Sequence, residues 1–143
     1  MFERSRLLDR LILFVFIALA LGCAKPDPSP NVAREIADKF YQALKQKDFE
    51  QALNYYSPKR STDEWHFHIQ QSREKLGDVT SVTFKRQEVN TTLRGRFFIF
   101  DYQVEYSSGQ SASEILTLFH KVDEEGTFIV SHSISAETFK SSL

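Results

Sequence analysis

The sequence predicts an α+β domain, with three N-terminal helices packed on a curved four-stranded antiparallel sheet, preceded by a cleaved signal peptide. Three observations lead there. Apolar residues recur at helical spacing in three capped segments before residue 78, and at period two in four segments after it. An uncharged apolar run near the N-terminus ends at the only cysteine. The chain has 143 residues, 41% hydrophobic and 26% charged, which suits one globular core of ordinary composition.

Residues 1–10 carry Arg4, Arg6 and Arg10 against Glu3 and Asp9, and Leu11 to Leu21 (LILFVFIALAL) follow without a charge. Eleven residues rise only about 16 Å as a helix, roughly half the hydrocarbon core of a bilayer, so the run is too short for a stable span. A basic segment, a short apolar segment and small residues before a cut site are the parts of a secretory signal. The stretch LALGC resembles the lipobox of bacterial lipoproteins, with Ala20, Leu21 and Gly22 leading to Cys23. Leucine is commoner at the Ala20 position, and alanine is tolerated there.

That resemblance implies cleavage before Cys23, a diacylglycerol on its thiol and acylation of the new amine, so the lipid bilayer is the first expected partner. Ala24 in place of aspartate implies, in a cell with two membranes, a lipid-anchored location in the envelope on the periplasmic face of the outer membrane. The chain then divides into a signal peptide at 1–22, a lipidated cysteine and proline-rich tether at 23–30, and an α+β domain at 31–143. Three of the 18 basic and two of the 19 acidic residues fall in 1–22, which leaves 15 against 17 in the mature chain. No polybasic patch is legible there, so the acyl chains must do the anchoring.

The first helix comes from SPNVAREIADKFYQALKQ, where Val32, Ile36, Phe40 and Leu44 recur at four-residue steps with Ala33, Ala37 and Ala43 in the same stripe. The second, DFEQALNYYSP, has Asp48 as N-cap and Gln51 three residues on. It buries Phe49, Ala52, Leu53 and Tyr56 and stops at Pro58. The third, STDEWHFHIQQSREKLG, opens on the capping pair Ser61 and Glu64, closes at Gly77, and buries Trp65, Ile69 and Leu76.

The strands follow. DVTSVTFKRQEV puts Val82 and Phe84 on one face, and RFFIFDYQVEYSS puts Phe98, Phe100, Tyr102, Val104 and Tyr106 on one face. Ser107-Ser108-Gly109 is a hairpin turn. SASEILTLFHKV and TFIVSHSISA are joined by a short loop with Gly126 in the left-handed position. The expected register pairs Val122 with Phe128, His120 with Val130, Leu118 with His132 and Leu116 with Ile134.

This order of elements resembles the nuclear-transport-factor-two-like (cystatin-like) superfamily, and within it a bacterial family of unknown function that is commonly lipoprotein. The resemblance rests on FYQALKQKDFEQALNYYSP, EWHFHIQQSREKLGDVTSV and SEILTLFHKVDEEGTFIVSHSIS, and covers about residues 32–136. Phe128 departs from it, since tryptophan is commoner at that point. The resemblance implies a pocket between the concave sheet face and the helices, in a superfamily that includes isomerases, dehydratases, hydrolases and proteins without catalysis.

The polar residues expected in that pocket, as ligand-binding candidates, are Tyr102, His120, His132, Tyr41 and Tyr56, with His120 and His132 as diagonal neighbours. The alternative is a pair of core histidines satisfied by hydroxyls or carbonyls. No catalytic residue is assigned. An isomerase-like site needs an inward carboxylate, but Asp101 falls one residue off the apolar face and Glu114 is expected at the rim. No cofactor or metal is expected either: His66 and His68 point about 200° apart on a helix. The outward row Ile99, Ile115, Phe119 and Ile129 is apolar enough for a partner surface, for a protein or a second copy.

A net charge of −1 lacks the basic footprint of a nucleic-acid binder, so no nucleic acid is expected. A single cysteine excludes an internal disulfide framework. The leading reading is a membrane-anchored lipoprotein whose domain binds a protein partner or small ligand without catalysis. The alternatives are a pocket enzyme or ligand carrier, and an immunity lipoprotein against a toxic effector.

Overall fold

Helix α1 (Pro30–Lys45) begins where Ser29 accepts the Val32 N–H and Pro30 occupies the first turn, where its missing N–H costs nothing. The computed structural model describes residues 28–143, so the signal segment, Cys23 and most of the tether lie outside the described residues. The buried stripe of α1 is Ala33, Ala37, Phe40, Tyr41, Ala43 and Leu44, while Val32 is 48% exposed. The stripe is therefore turned from the expected one toward the alanines, whose small side chains let the helix lie close against the sheet.

Helix α2 (Phe49–Leu53) is capped by Asp48, whose Oδ1 accepts the Gln51 N–H at 3.0 Å. Helix α3 (Thr62–Leu76) is capped by Ser61 and ends at Gly77, φ 91°, where a Cβ would collide with the Ser107 side chain. Its inward side carries Trp65, His68, Ile69, Ser72 and Leu76.

Among the described residues five strands follow, β1 (Val79–Thr92), β2 (Gly95–Tyr106), β3 (Ser111–Lys121), β4 (Thr127–Ala136) and β5 (Lys140–Ser142). They form one antiparallel sheet in the order β1-β2-β3-β4-β5. This corrects the expected four strands to five. Strand β5 pairs with Ser133–Ser135, and His132 and Leu143 exchange both backbone hydrogen bonds, at 3.0 and 3.1 Å. Three polar residues, Lys-Ser-Ser, carry no alternation that could announce a strand. The α+β class itself stands, with helices before the sheet and α1 lying across β1 to β4.

The inward row of β2 is as expected: Phe98, Phe100, Tyr102, Val104 and Tyr106 are all buried. Each full burial of a phenylalanine there stabilises the fold by about 1.5–3 kcal/mol.

The β3–β4 register differs from the expected one. His120 lies opposite Thr127, Phe119 opposite Phe128, Leu118 opposite Ile129, then Leu116 opposite His132, with an irregularity between Thr117 and Leu118. The extra residue on β4 reverses which side chains face inward beyond it. Ile129 therefore points into the core and is fully buried, and Phe128 takes the outward place beside Phe119. Beyond the reach of β5, the edge of β4 is covered by Tyr55–Ser57. Ser57 N–H donates to the Ile129 carbonyl, and Ile129 N–H to the Tyr55 carbonyl, both at 2.8 Å. That pairing brings Tyr56 under the sheet.

Candidate functional site

Glu114 lies on β3 between Ala112 and Leu116, on the inward face, and is 1% exposed. The rim position expected for it is corrected. Strand β5 extends the sheet beyond β4 at this end, and Tyr41 from α1 reaches the carboxylate directly. Tyr41 donates to Oε2 at 2.9 Å, His132 Nε2 lies 2.8 Å from the same oxygen, and the Tyr106 hydroxyl donates to Oε1. The far side of His132 meets Tyr56, hydroxyl to Nδ1, at 2.8 Å. Five side chains from α1, the α2–α3 connection, β2, β3 and β4 thus form one buried network.

A single assignment of protons satisfies every member. His132 carries its proton on Nε2 and donates to Glu114, and its Nδ1 accepts from Tyr56. Glu114 then receives three donors, the arrangement that makes a buried carboxylate tolerable. Burial first, and the Glu114 charge second, push the Tyr41, Tyr56 and Tyr106 hydroxyls well above the ordinary phenol range, so they stay donors. Phe40 packs edge-on against Tyr41, Tyr56 and His132, and Tyr56 stacks on Trp65 with centroids 3.9 Å apart.

His68 closes the network from α3. Its ring meets that of His132 edge-on at 4.9 Å, and its Nδ1 lies 3.0 Å from Ser141 Oγ on β5. Burial, then the neighbouring His132, then Arg60, lower its pKa from 6.5 to about 3, so it is neutral across the physiological range. Its Nε2 and Trp65 Nε1 are buried without a hydrogen-bond partner among the described residues.

Of the five ligand-binding candidates, the structure brings Tyr41, Tyr56 and His132 together. Tyr102 lies opposite Glu114 on β2 and packs its ring on Tyr41 at 4.7 Å, but its hydroxyl turns away to donate to Asp38 at 3.2 Å, and burial with the Asp38 charge raises its pKa. His120 does not join them, which corrects the expected pairing with His132. It shares the inward parity but lies four residues along β3 from the partner of His132, about 13 Å at strand rise. Its Nδ1 faces the Gly126 carbonyl at 3.0 Å and Thr127 Oγ1 at 3.3 Å. Of the outward row, Ile99, Ile115 and Phe119 face out, and Ile129 does not, because of the β4 irregularity. His66 is exposed and His68 buried, pointing apart as expected. Cys23 lies outside the described residues.

Sequence reasoning missed Glu114, Tyr106 and His68. The available signal was parity, since Glu114 shares the face of Leu116 and Leu118 and its hydroxyl partners share the facing rows.

The enclosed space beside His132 and Tyr106 is small. A cavity of about 10 Å³ touches His132 and Tyr106, enough for about one water. Small-molecule sites run to several hundred Å³. Larger openings lie at the surface. One of about 460 Å³ runs between α1 and β1, with Arg34, Asp38, Lys45, Phe84 and Tyr102 on its walls and Tyr41 at its floor. Another of about 460 Å³ lies between α2 and α3 over Phe49, Leu53 and Ile69, where Arg73 stacks on Phe49 and pairs with Asp78 at 2.8 Å. A third, of about 670 Å³, lies at the end of the sheet between Leu93, Phe97 and Phe119.

No protein-family model matches the chain, and no curated protein matches it. Among solved structures, the chain is similar to Bd1075 of Bdellovibrio bacteriovorus, with a TM-score of 0.50 and 12% identity over 72% of this chain. The match spans 38% of that protein, so the likeness concerns one portion of it and is one of fold alone.

Proposed function

We propose that the chain is a lipid-anchored envelope protein whose domain works by binding and not by catalysis. The observation that carries the noncatalytic part is the closed network. Glu114, His132 and three tyrosines satisfy one another at 1–5% exposure, and the adjoining cavity is about 10 Å³. A general base must come within hydrogen-bond reach of a substrate proton. Here each polar atom of these five side chains already meets a neighbouring side chain, and Glu114 lines none of the openings described above.

The anchoring part rests on the lipobox-like LALGC and the short apolar run before it. In this reading residues 1–22 are removed and Cys23 carries the acyl chains. The fold-level likeness to the nuclear-transport-factor-two-like superfamily remains part of the same proposal. The test is the intact mass of the protein taken from membranes, with a Cys23→Ser variant beside it. A chain starting at Cys23 and carrying acyl mass is expected, with an uncleaved precursor in the variant. An unmodified Cys23 in the wild-type protein overturns the anchor.

A second reading has one observation in its favour. The groove between α1 and β1 presents Arg34, Lys45 and the Tyr102 hydroxyl around an aromatic wall, a fit for a small polar ligand. Saturable thermal stabilisation by such a ligand, lost in Tyr102→Phe with Arg34→Ala, would favour a carrier.

A further inference from the structure

Strand β1 stands at one side of the sheet, and among the described residues nothing pairs with its free edge. Its register against β2 slips between Val79 and Ser81 and again between Phe84 and Arg86, so Ser81–Phe84 is a short regular segment between two irregularities. Such irregularities keep long strands from pairing on an edge, and they leave the four residues between them as a template for a short one. Val82 and Phe84, opposite the buried Val104 and Tyr102, face inward and are half-buried. Both line the groove of about 460 Å³ that runs between this stretch of edge and α1.

The unpaired N–H and C=O groups of a strand edge are matched in series by another extended backbone, which a small molecule cannot supply. The helix wall has unused polar capacity as well: the side chains of Gln42, Lys45 and Gln46 line the groove and have no partner among the described residues. Of the charges facing it, Arg34 lies over Phe84 and pairs with Asp38 at 3.7 Å, which leaves Lys45 as the uncompensated one. The acids nearby do not answer it. Asp78 is held by Lys47 and Arg73, Asp48 caps the Gln51 N–H, and Glu88 and Glu105 lie on the outward face of the sheet. A second copy pairing edge to edge would keep both helix layers on one side and set Arg34 of one copy against Lys45 of the other, so like charges oppose it.

We propose that the free edge of β1 takes a short extended peptide as an added strand, with apolar side chains on Val82 and Phe84 and a carboxylate at Lys45. Alternate side chains of such a strand point into the groove while its backbone continues the ladder, so main-chain bonds give affinity and the groove gives selection. The proposal rests on the reading that the domain binds without catalysis and names what it binds; it needs no lipid anchor.

The probe is a fluorescein-labelled peptide, Glu-Thr-Val-Thr-Val-Thr-Glu, whose side chains read alike in either strand direction. It is titrated into the full chain in neutral detergent, with anisotropy and amide hydrogen exchange as readouts. Saturable binding with new protection within Ser81–Phe84 is expected, at least about tenfold weaker when lysine replaces both glutamates of the peptide. Lys45→Glu should reverse that preference, with an unchanged melting temperature as the control for folding. Methylating every second peptide amide should abolish binding for one of the two alternating rows, since only one row meets β1. Binding indifferent to methylation of either row, or matched by free glutarate, gives the groove to a small acid and overturns the added strand. A dimeric chain with Ser81–Phe84 protected before peptide is added assigns the edge to a second copy and overturns it too. No binding at millimolar peptide overturns the docking and, with the peptide recovered intact, leaves the noncatalytic reading standing. A bound peptide recovered cleaved keeps the docking and overturns the noncatalytic reading.

Discussion

Glu114 and His132 lie across β3 and β4 with Oε2 and Nε2 2.8 Å apart, at 1% and 2% exposure. Charge buried this deeply persists only when every donor is in place, so each partner carries a measurable share of stability. Tyr41→Phe removes one donor from Glu114 Oε2 and should cost about 1–3 kcal/mol. Tyr102→Phe removes a bond to Asp38, whose carboxylate faces solvent, and should cost less than about 1 kcal/mol. Urea unfolding with unchanged m-values reads the difference. Equal costs would mean that Tyr41 does not serve the carboxylate.

His68 makes stability depend on pH in a stated direction. Its pKa falls from 6.5 in the unfolded chain to about 3 in the fold. Above pH 6.5 both states leave it neutral and nothing is lost. As pH drops from about 6.5 toward 3, the unfolded chain takes a proton that the folded chain refuses, and stability declines by up to roughly 4 kcal/mol. His68→Gln should flatten that part of the stability–pH curve. A slope unchanged by the substitution would assign the acid loss elsewhere.

The irregularity in β4 separates two neighbouring apolar residues. Ile129→Lys places an ammonium in the core and should unfold the protein or lower its stability by more than about 3 kcal/mol. Phe119→Lys costs only a partly exposed aromatic pair with Phe97, about 0.5–1.5 kcal/mol. Circular-dichroism melts of the two variants decide it. The reverse order would restore the uninterrupted register, in which Ile129 faces outward.

Strand β5 is short, yet it holds Ser141 against His68 and shields the β4 edge at His132. Truncation after Glu137 should speed hydrogen exchange at the His132 amide far more than at Leu116 in the sheet centre. Equal exchange rates at the two amides in the truncated chain would show that β5 contributes nothing local.

These relationships mark what could be read beforehand. The β2 row from Phe98 to Tyr106 was legible because every second residue is apolar, and the helix starts because Asp48 and Ser61 are placed as caps. Two features were harder to read. One is the extra residue in β4, since Ile129 and Val130 are equally apolar and either could face inward. The other is the sealed position of Glu114, because a carboxylate near a strand start looks like a rim residue until Tyr41, Tyr106 and His132 are brought around it from distant segments. Strand β5 was hidden for a simpler reason: its three residues are polar and too few to show a period.

The most direct test of the account is the stability of Glu114→Gln, measured by urea unfolding at neutral pH. A side chain of the same shape that cannot accept three donors should lower stability by about 2 kcal/mol or more, as loss of a structural partner does. Buried charges kept for function commonly do the opposite, and their removal stabilises the fold at the expense of activity. A Glu114→Gln protein as stable as the wild type, or more so, would contradict the closed structural network and mark Glu114 as a reactive group.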